Sequence, residues 1–387
     1  MWKCDPTFGD VNGDGFVDLA ALPRLGFGPR VWLGDGTGRW TESSEGLNPR
    51  QRSCGGGLHF GDANNDGFQD LIVADHCQGV FVYLGDGAGG WEMVTQALCP
   101  KNDALSAFRA QMHLGAEDLA IGDVNGDGNL DIVVGGSDDG GINVYFGDGS
   151  GREWTLQDDN LPKKEWANRV VLADVNGDGR LDLLASYGAG PRVWLGDGNG
   201  GWTPSSEGLP SPMLKGLYNG LDVGDINGDG RMDFVTANWV DGPEIYLQQS
   251  DGSWKKTPDA FPQLMGGAIG VALGDLDLDG NLDIVLSGRM KTDPGFVRGV
   301  FALRGDGSGG MSYMEGTGLL ATGLAAMGGV AVEDINGDGV LDVVAGSGLI
   351  VETAPGPKEP VIPQRLPLWC GKLRGAADRD KSSTNDP

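Results

Sequence analysis

The nine residues DVNGDGFVD at 10–18 recur, with small changes, six more times along the chain. The later copies are DANNDGFQD at 62–70, DVNGDGNLD at 123–131, DVNGDGRLD at 174–182, DINGDGRMD at 225–233, DLDLDGNLD at 275–283 and DINGDGVLD at 334–342. Their starts lie 52, 61, 51, 51, 50 and 59 residues apart. A supersecondary unit repeated at this period points to a stacked or closed array of small units. That displaces the two or three separate domains that 387 residues would otherwise suggest.

Each copy places side-chain oxygens at positions 1, 3, 5 and 9 and a glycine at position 6. The candidate metal ligands are Asp10, Asn12, Asp14 and Asp18 in the first loop, and Asp62, Asn64, Asp66 and Asp70 in the second. The third offers Asp123, Asn125, Asp127 and Asp131; the fourth offers Asp174, Asn176, Asp178 and Asp182. Asp225, Asn227, Asp229 and Asp233 follow, then Asp275, Asp277, Asp279 and Asp283, then Asp334, Asn336, Asp338 and Asp342. Hard oxygen donors at this spacing, with a glycine for the sharp turn, describe a Ca²⁺ loop completed by a main-chain carbonyl at position 7. A metal-free hairpin turn would need only the glycine and one Asn or Asp, not four fixed oxygens. The expectation is up to seven Ca²⁺ ions, one per repeat.

Charge supports this. The chain has 55 acids against 28 bases, a net −27, and the seven loops hold 22 of those acids. The other 33 acids nearly balance the 28 bases, leaving −5. Carboxylates crowded into one turn repel each other unless a cation sits between them. So acidic a chain should avoid nucleic acid and anionic lipid. No apolar stretch approaches 18 residues, so no membrane span is expected. The 70 glycines show no period of three, which excludes collagen, and 11 Trp argue for a packed core.

What flanks each loop decides the fold class. Before it stand LHFGD, LAIGD, VVLAD, LDVGD, VALGD or VAVED; after it stand LIVAD, IVVGG, LLASY, FVTAN, IVLSG or VVAGS. These β-rich runs have strand length and no helical period, unlike an EF-hand. A second string comes after each of the first six loops: RVWLGDGTGRW (30–40), FVYLGDGAGGW (81–91), NVYFGDGSGREW (143–154) and RVWLGDGNGGW (192–202), with weaker copies EIYLQQSDGSW (244–254) and FALRGDGSGGM (301–311). It reads as strand, Gly-rich turn, strand. Four strands per unit, repeated seven times, predict an all-β, seven-bladed β-propeller with one Ca²⁺ loop per four-stranded blade.

The pairing of FGDVNGDG with VYLGDGAGGW resembles the FG-GAP/VCBS repeat family over about residues 7–353. That family is known for calcium-loop propellers in integrin α-chains, fungal seven-bladed lectins and secreted bacterial proteins. The resemblance implies that the loop Asp and Asn residues bind Ca²⁺, and that the face opposite the loops takes a ligand. The resulting division is a propeller over 1–353 and a Pro-rich tail over 354–387. Residues Leu366–Cys370 of the tail could supply the missing outer strand of the seventh unit; docking of a partner is the alternative. The tail carries six bases against four acids, opposite in sign to the body, and self-association through it is a further expectation.

Repeated aromatics read as core. Trp32, Tyr83, Tyr145, Trp194 and Tyr246 form one column, and Trp40, Trp91, Trp154, Trp202 and Trp254 another. Non-repeated ones, Trp166, Tyr187, Tyr218 and Trp239, beside Asn219, Asn238 and Asp241, all around units four and five, read either as plugs of the blade interface or as ligand-facing. Aromatic faces with amide and carboxylate neighbours suit a sugar ring.

His59, His76 and His113, with Asp75, could instead form a transition-metal or acid–base site. No nucleophile or phosphate-loop signature accompanies them, so no catalytic residue is assigned. Arg-Gly-Asp at 304–306 aligns with Leu-Gly-Asp of other units and reads as a hairpin variant.

Five cysteines, at 4, 54, 77, 99 and 370, leave one unpaired; Cys54–Cys77 (or a Cys99 alternative) and Cys4–Cys370 are the candidate bonds. MWKCDPTFGD shows neither a basic n-region nor an apolar h-region. Loops of this kind outside cytosolic buffers fill at millimolar Ca²⁺, so an extracellular or periplasmic monomer is expected, its leader outside the chain. The functional expectation is a calcium-stabilised binding module, carbohydrate-binding in the manner of a lectin. The alternatives are a protein–protein adhesion module and, third, a polysaccharide lyase or hydrolase; the partner is a glycan or an extracellular protein.

Overall fold

The computed structural model describes residues 5–22, 28–47, 53–98, 115–136, 140–157, 160–162, 165–187, 190–210, 218–263, 265–292, 295–315, 317, 319, 328–345 and 350–353. The apolar runs around each loop form antiparallel strands that meander in chain order. In the second repeat these are Leu58–Gly61, Asp70–Asp75, Gly79–Gly85 and Trp91–Leu98, hydrogen-bonded in that order. Alternation explains the result: Leu71, Val73, Phe81 and Tyr83 pack toward one neighbouring sheet, Ile72, Ala74, Val80 and Val82 toward the other.

Among the described residues six sheets have four strands each, and the chain is an all-β propeller built of four-stranded blades. The expectation of seven such blades is corrected to six. The last repeat forms a sheet of three described strands, Val330–Glu333, Asp342–Ala345 and Ile350–Thr353. The physical reason is in the sequence after the third of these strands. This repeat lacks the Gly-rich turn and Trp strand, and Pro355, Pro357 and Pro360 come in their place, residues that interrupt a strand ladder. The tail proposed to complete it, 354–387, lies outside the described residues.

The sheets pack face to face around a ring. Leu19, Ala21 and Trp32 of the first sheet join Ile335 and Val344 of the last in one apolar cluster, which closes the circle. Ala20, Val31, Leu58 and Tyr83 join the first sheet to the second. The repeated aromatics are where periodicity placed them: Tyr83, Tyr145, Trp194, Tyr246, Trp91, Trp202 and Trp254 are all buried between sheets. Trp91 and Trp254 also donate their indole N–H to the carbonyls of Ser43 and Ser205 in the preceding blade (2.9 Å each). Among the described residues no helix is long and apolar enough to cross a membrane.

This topology sorts the surface. All the acidic loops join first to second strands, so they share one end of the ring with the Gly-rich turns. The turns between second and third strands, and the connections between blades, share the other.

Candidate functional site

The acidic loops have one geometry. In the first, Asp14 N–H donates to Asp10 Oδ1 (3.1 Å) and to Asn12 Oδ1 (3.1 Å), Gly15 N–H donates to Asp10 Oδ2 (2.9 Å) and Phe16 N–H donates to Asp14 Oδ1 (2.9 Å). The same bonds recur in the second loop at Asp62, Asn64 and Asp66. The amides thus turn the side-chain oxygens of positions 1, 3 and 5 inward.

Position 9 does more than the spacing indicated. Asp18 is buried, and its two oxygens accept Val11 N–H and Gly34 N–H (2.8 Å each). One carboxylate therefore ties the start of the loop to the end of the third strand. Asp70, Asp131, Asp182, Asp233 and Asp283 make the same pair of bonds. In five of these six blades the third strand ends in a glycine packed close against backbone: a Cβ on Gly34 would lie 2.1 Å from Val17 O, and on Gly196 2.2 Å from Leu181 O, whereas Gln248 takes the position in the fifth.

Burial pushes Asp70, Asp131 and Asp233 up to about 6 and Asp342 to about 7, with their amide bonds pulling the other way. Asp342, highest of the four, has a bond from Ile335 N–H (3.2 Å) but none from a third-strand amide among the described residues. Neighbouring carboxylates push in the same direction: Asp66 and Asp62 on Asp70, Asp338 and Asp334 on Asp342. A cation between them would relieve that repulsion. In the sixth loop, Asp275, Asp277 and Asp283 each bring an oxygen within 4.8 Å of the others, a donor set that fits a hard divalent ion. Basic side chains share three loops: Arg304 Nε lies 2.5 Å from Asp277 Oδ2, Arg180 Nη2 2.5 Å from Asp178 Oδ2, and Arg231 pairs with Asp229. Arg304 belongs to the Arg-Gly-Asp tripeptide, whose Asp306 caps its own turn by accepting Ser308 and Gly310 N–H.

On the opposite face the structure divides the aromatic set. Tyr187 is buried between the third and fourth blades with its ring edge toward Trp194 (6.2 Å), so it offers no face to solvent. Asn238 is buried and accepts Val240 and Asp241 N–H, which makes it the anchor of a turn. Trp166 packs against His76 (5.8 Å). The side chains of Tyr218 and Asn219 lie outside the described residues, though their backbone forms the inner strand Tyr218–Gly224. Trp239 and exposed Asp241 remain at the surface.

Trp239 has partners that periodicity did not reveal. The Arg289 guanidinium lies 4.5 Å from its ring centroid and 4.7 Å from that of Phe296, and Arg298 lies 5.8 Å from Trp239. These come from a long hairpin, Asp283–Thr292 with Gly295–Gly305, whose outer half projects beyond the corresponding pair Asp233–Asn238 and Glu244–Gln248 of the fifth blade. The sequence held one sign of it, the 59-residue spacing after the sixth loop. Gly267 lets the Trp239 backbone approach, since a Cβ there would lie 1.8 Å from Trp239 O.

Among the described residues, the histidines and Asp75 do not come together as one metal-ligand grouping. His76 pairs with Glu117, both nearly closed to solvent at 5% and 1% side-chain exposure, bracing the second blade against the third. Asp75 accepts Cys77 N–H (2.8 Å) and Cys54 N–H (3.2 Å), and Cys54 is bonded to Cys77 as a disulfide, one of the two partners expected for it. His59 faces the ring's interior beside Arg169, Asp118 and Asp5; burial, then Arg169, lowers its pKa. His113, Cys4, Cys99 and Cys370 lie outside the described residues. Among the described residues, the groupings with metal-ligand spacing contain no histidine.

The model of the FG-GAP-like repeat matches residues 10–73, 123–185, 174–236 and 225–286, more than half of the chain. The chain belongs to the FG-GAP-like repeat family. Among FG-GAP relatives, a T-cell immunomodulatory protein homolog of Plasmodium yoelii yoelii is 22% identical over 289 residues, 60% of this chain. The chain spans 38% of that relative's length. Of solved structures, an Agrocybe aegerita lectin that recognises non-reducing terminal N-acetylglucosamine superposes with a TM-score of 0.53 at 20% identity, covering 81% of this chain and 79% of the lectin. A periplasmic gluconolactonase of Pseudomonas aeruginosa superposes at 0.54 with 12% identity, covering 81% and 84%. At these identities both establish the propeller fold and nothing further.

Proposed function

We propose that this FG-GAP propeller is an extracellular, calcium-stabilised binding module that recognises carbohydrate on the face opposite its acidic loops. The observation that carries the carbohydrate reading is Trp239, held at that face by Arg289 and flanked by exposed Phe296 and Asp241. An aromatic plane fixed by its neighbours can stack on the CH face of a pyranose at little entropic cost, while adjacent polar groups bond its hydroxyls. The lectin among the structural neighbours is consistent with such use of the fold.

Asp and Asn oxygens of positions 1, 3, 5 and 9 would hold Ca²⁺ in each of the seven loops, and seven divalent ions would bring the net charge from −27 to −13. The ion's contribution is structural: it neutralises the carboxylates that hinge first strand to second. The Cys54–Cys77 bond supports an oxidising compartment. The tail, 354–387, would pair with the three-stranded sheet of the last repeat or dock a partner.

Trp239→Ala should abolish binding to glycans retained by the wild type, leaving the melting temperature within a degree or two. Unchanged affinity would reject the site.

A further inference from the structure

The paired strands 288–292 and 295–299 carry Arg289, Lys291 and Arg298; with Asp293 between them in sequence, the stretch is net positive on a chain of −27. Its register places Arg289 directly opposite Arg298 and Lys291 directly opposite Phe296. Residues two apart on a strand share a face, so all four side chains project from the same side of the ribbon. Two arginines in direct cross-strand register repel each other. Among the described residues none of the three bases makes an ion pair, and Arg289 Nε, though buried, has no hydrogen-bond partner. What holds Arg289 is aromatic: Trp239 (4.5 Å) and Phe296 (4.7 Å), with one N–H donated to Trp239 O (3.1 Å). Phe296 is 52% exposed beyond that contact.

Resting on the carbohydrate reading above, we infer that this hairpin selects an anionic glycan. A carboxylate or sulfate group would be received by Arg298 and Lys291, both exposed, and the sugar ring would lie against Phe296 and Trp239. An anion between the facing bases removes their repulsion, and the fork geometry of arginine suits planar carboxylate and tetrahedral sulfate alike. The acidic body adds selectivity. It repels polyanions in general, so only a ligand that presents its charge to this hairpin gains from it.

The test uses the full chain in millimolar Ca²⁺ on a printed glycan array with neutral, sialylated, uronate-bearing and sulfated members. It is repeated with the double variant Lys291→Gln/Arg298→Gln and with Trp239→Ala. The bound members should be anionic, and their carboxyl-reduced or desulfated counterparts should bind at least tenfold more weakly. Signal should fall as salt rises from 50 to 500 mM. The double variant should lose at least tenfold while melting as the wild type does. Comparing carboxyl reduction with desulfation tells which anion is read. Neutral glycans bound equally well, or binding indifferent to the double variant, would overturn the anionic inference and leave carbohydrate binding standing. Capture of no glycan by the wild type would overturn both and direct attention to acidic polypeptides.

Discussion

Leu278 occupies the fourth position of its loop with φ of 61°, where five of the other loops have glycine at 69–76°. A branched side chain in the left-handed region costs about 1–2 kcal/mol, and this one is 60% exposed, so packing does not offset it. Leu278→Gly should therefore stabilise the protein by about 1 kcal/mol in denaturant unfolding; a loss of stability would show that the side chain has a role in packing. Asp75 makes a pH prediction. Burial raises its pKa from 3.8 to about 6, against the amide bonds of Cys77 and Cys54 and the neighbouring His76. The native state thus holds its proton more tightly than the unfolded chain, and stability contributed below about pH 4 is lost as pH rises through 6. That component, on the order of 1–3 kcal/mol, should be missing from Asp75→Asn when both are unfolded at pH 4 and 7 in saturating Ca²⁺. Identical pH profiles would rule it out. At this scale the sequence was partly legible. Loop oxygens could be named from spacing alone, because the turn chemistry needs them. Tyr187 and Asn238 could not be placed, because a turn position does not say whether a neighbouring blade covers it.

Strands and turns were the most readable level, since a seven-fold repeat averages out local ambiguity. The exception is the projecting hairpin of the sixth blade. Its residues fall between repeat positions, and the like-charged pair Arg289 and Arg298 is visible only once register is known. The loop and the third strand behave as one element, joined by the buried carboxylate of position 9 and the glycine facing it. Gly196→Ala should break that junction. Its Cβ would press on Leu181 O at 2.2 Å and move the N–H that bonds Asp182 Oδ1 at 2.9 Å. The expected cost is about 1–3 kcal/mol, read as a lower melting temperature; an unchanged one would mean the loop tolerates separation from its strand. In the fifth blade Gln248 keeps the carboxylate bond without a glycine.

At the scale of the whole molecule, the apolar clusters run around the circle from the first sheet to the last and back. Across its interior, Arg169 of the fourth blade reaches Asp5, just before the first strand, at 2.8 Å, and Asp118 of the third at 3.5 Å. Glycines make room for those carboxylates, since a Cβ on Gly57 would lie 2.0 Å from Asp118 Oδ1 and on Gly329 1.8 Å from Asp5 Oδ1. None of this was legible from the repeat, because the residues that meet across the interior come from different copies. The acidic rim is common to all of them, and the proposed ions act there on every blade at once. A ligand that binds only the folded state stabilises it by mass action at each site. The decisive measurement is thermal unfolding of the purified chain in millimolar Ca²⁺ and after exhaustive EGTA treatment, with bound metal counted by elemental analysis. The account predicts several calcium ions per chain, approaching one per loop, and a melting temperature that falls sharply when they are removed. No bound calcium, and the same melting temperature in both conditions, would contradict it.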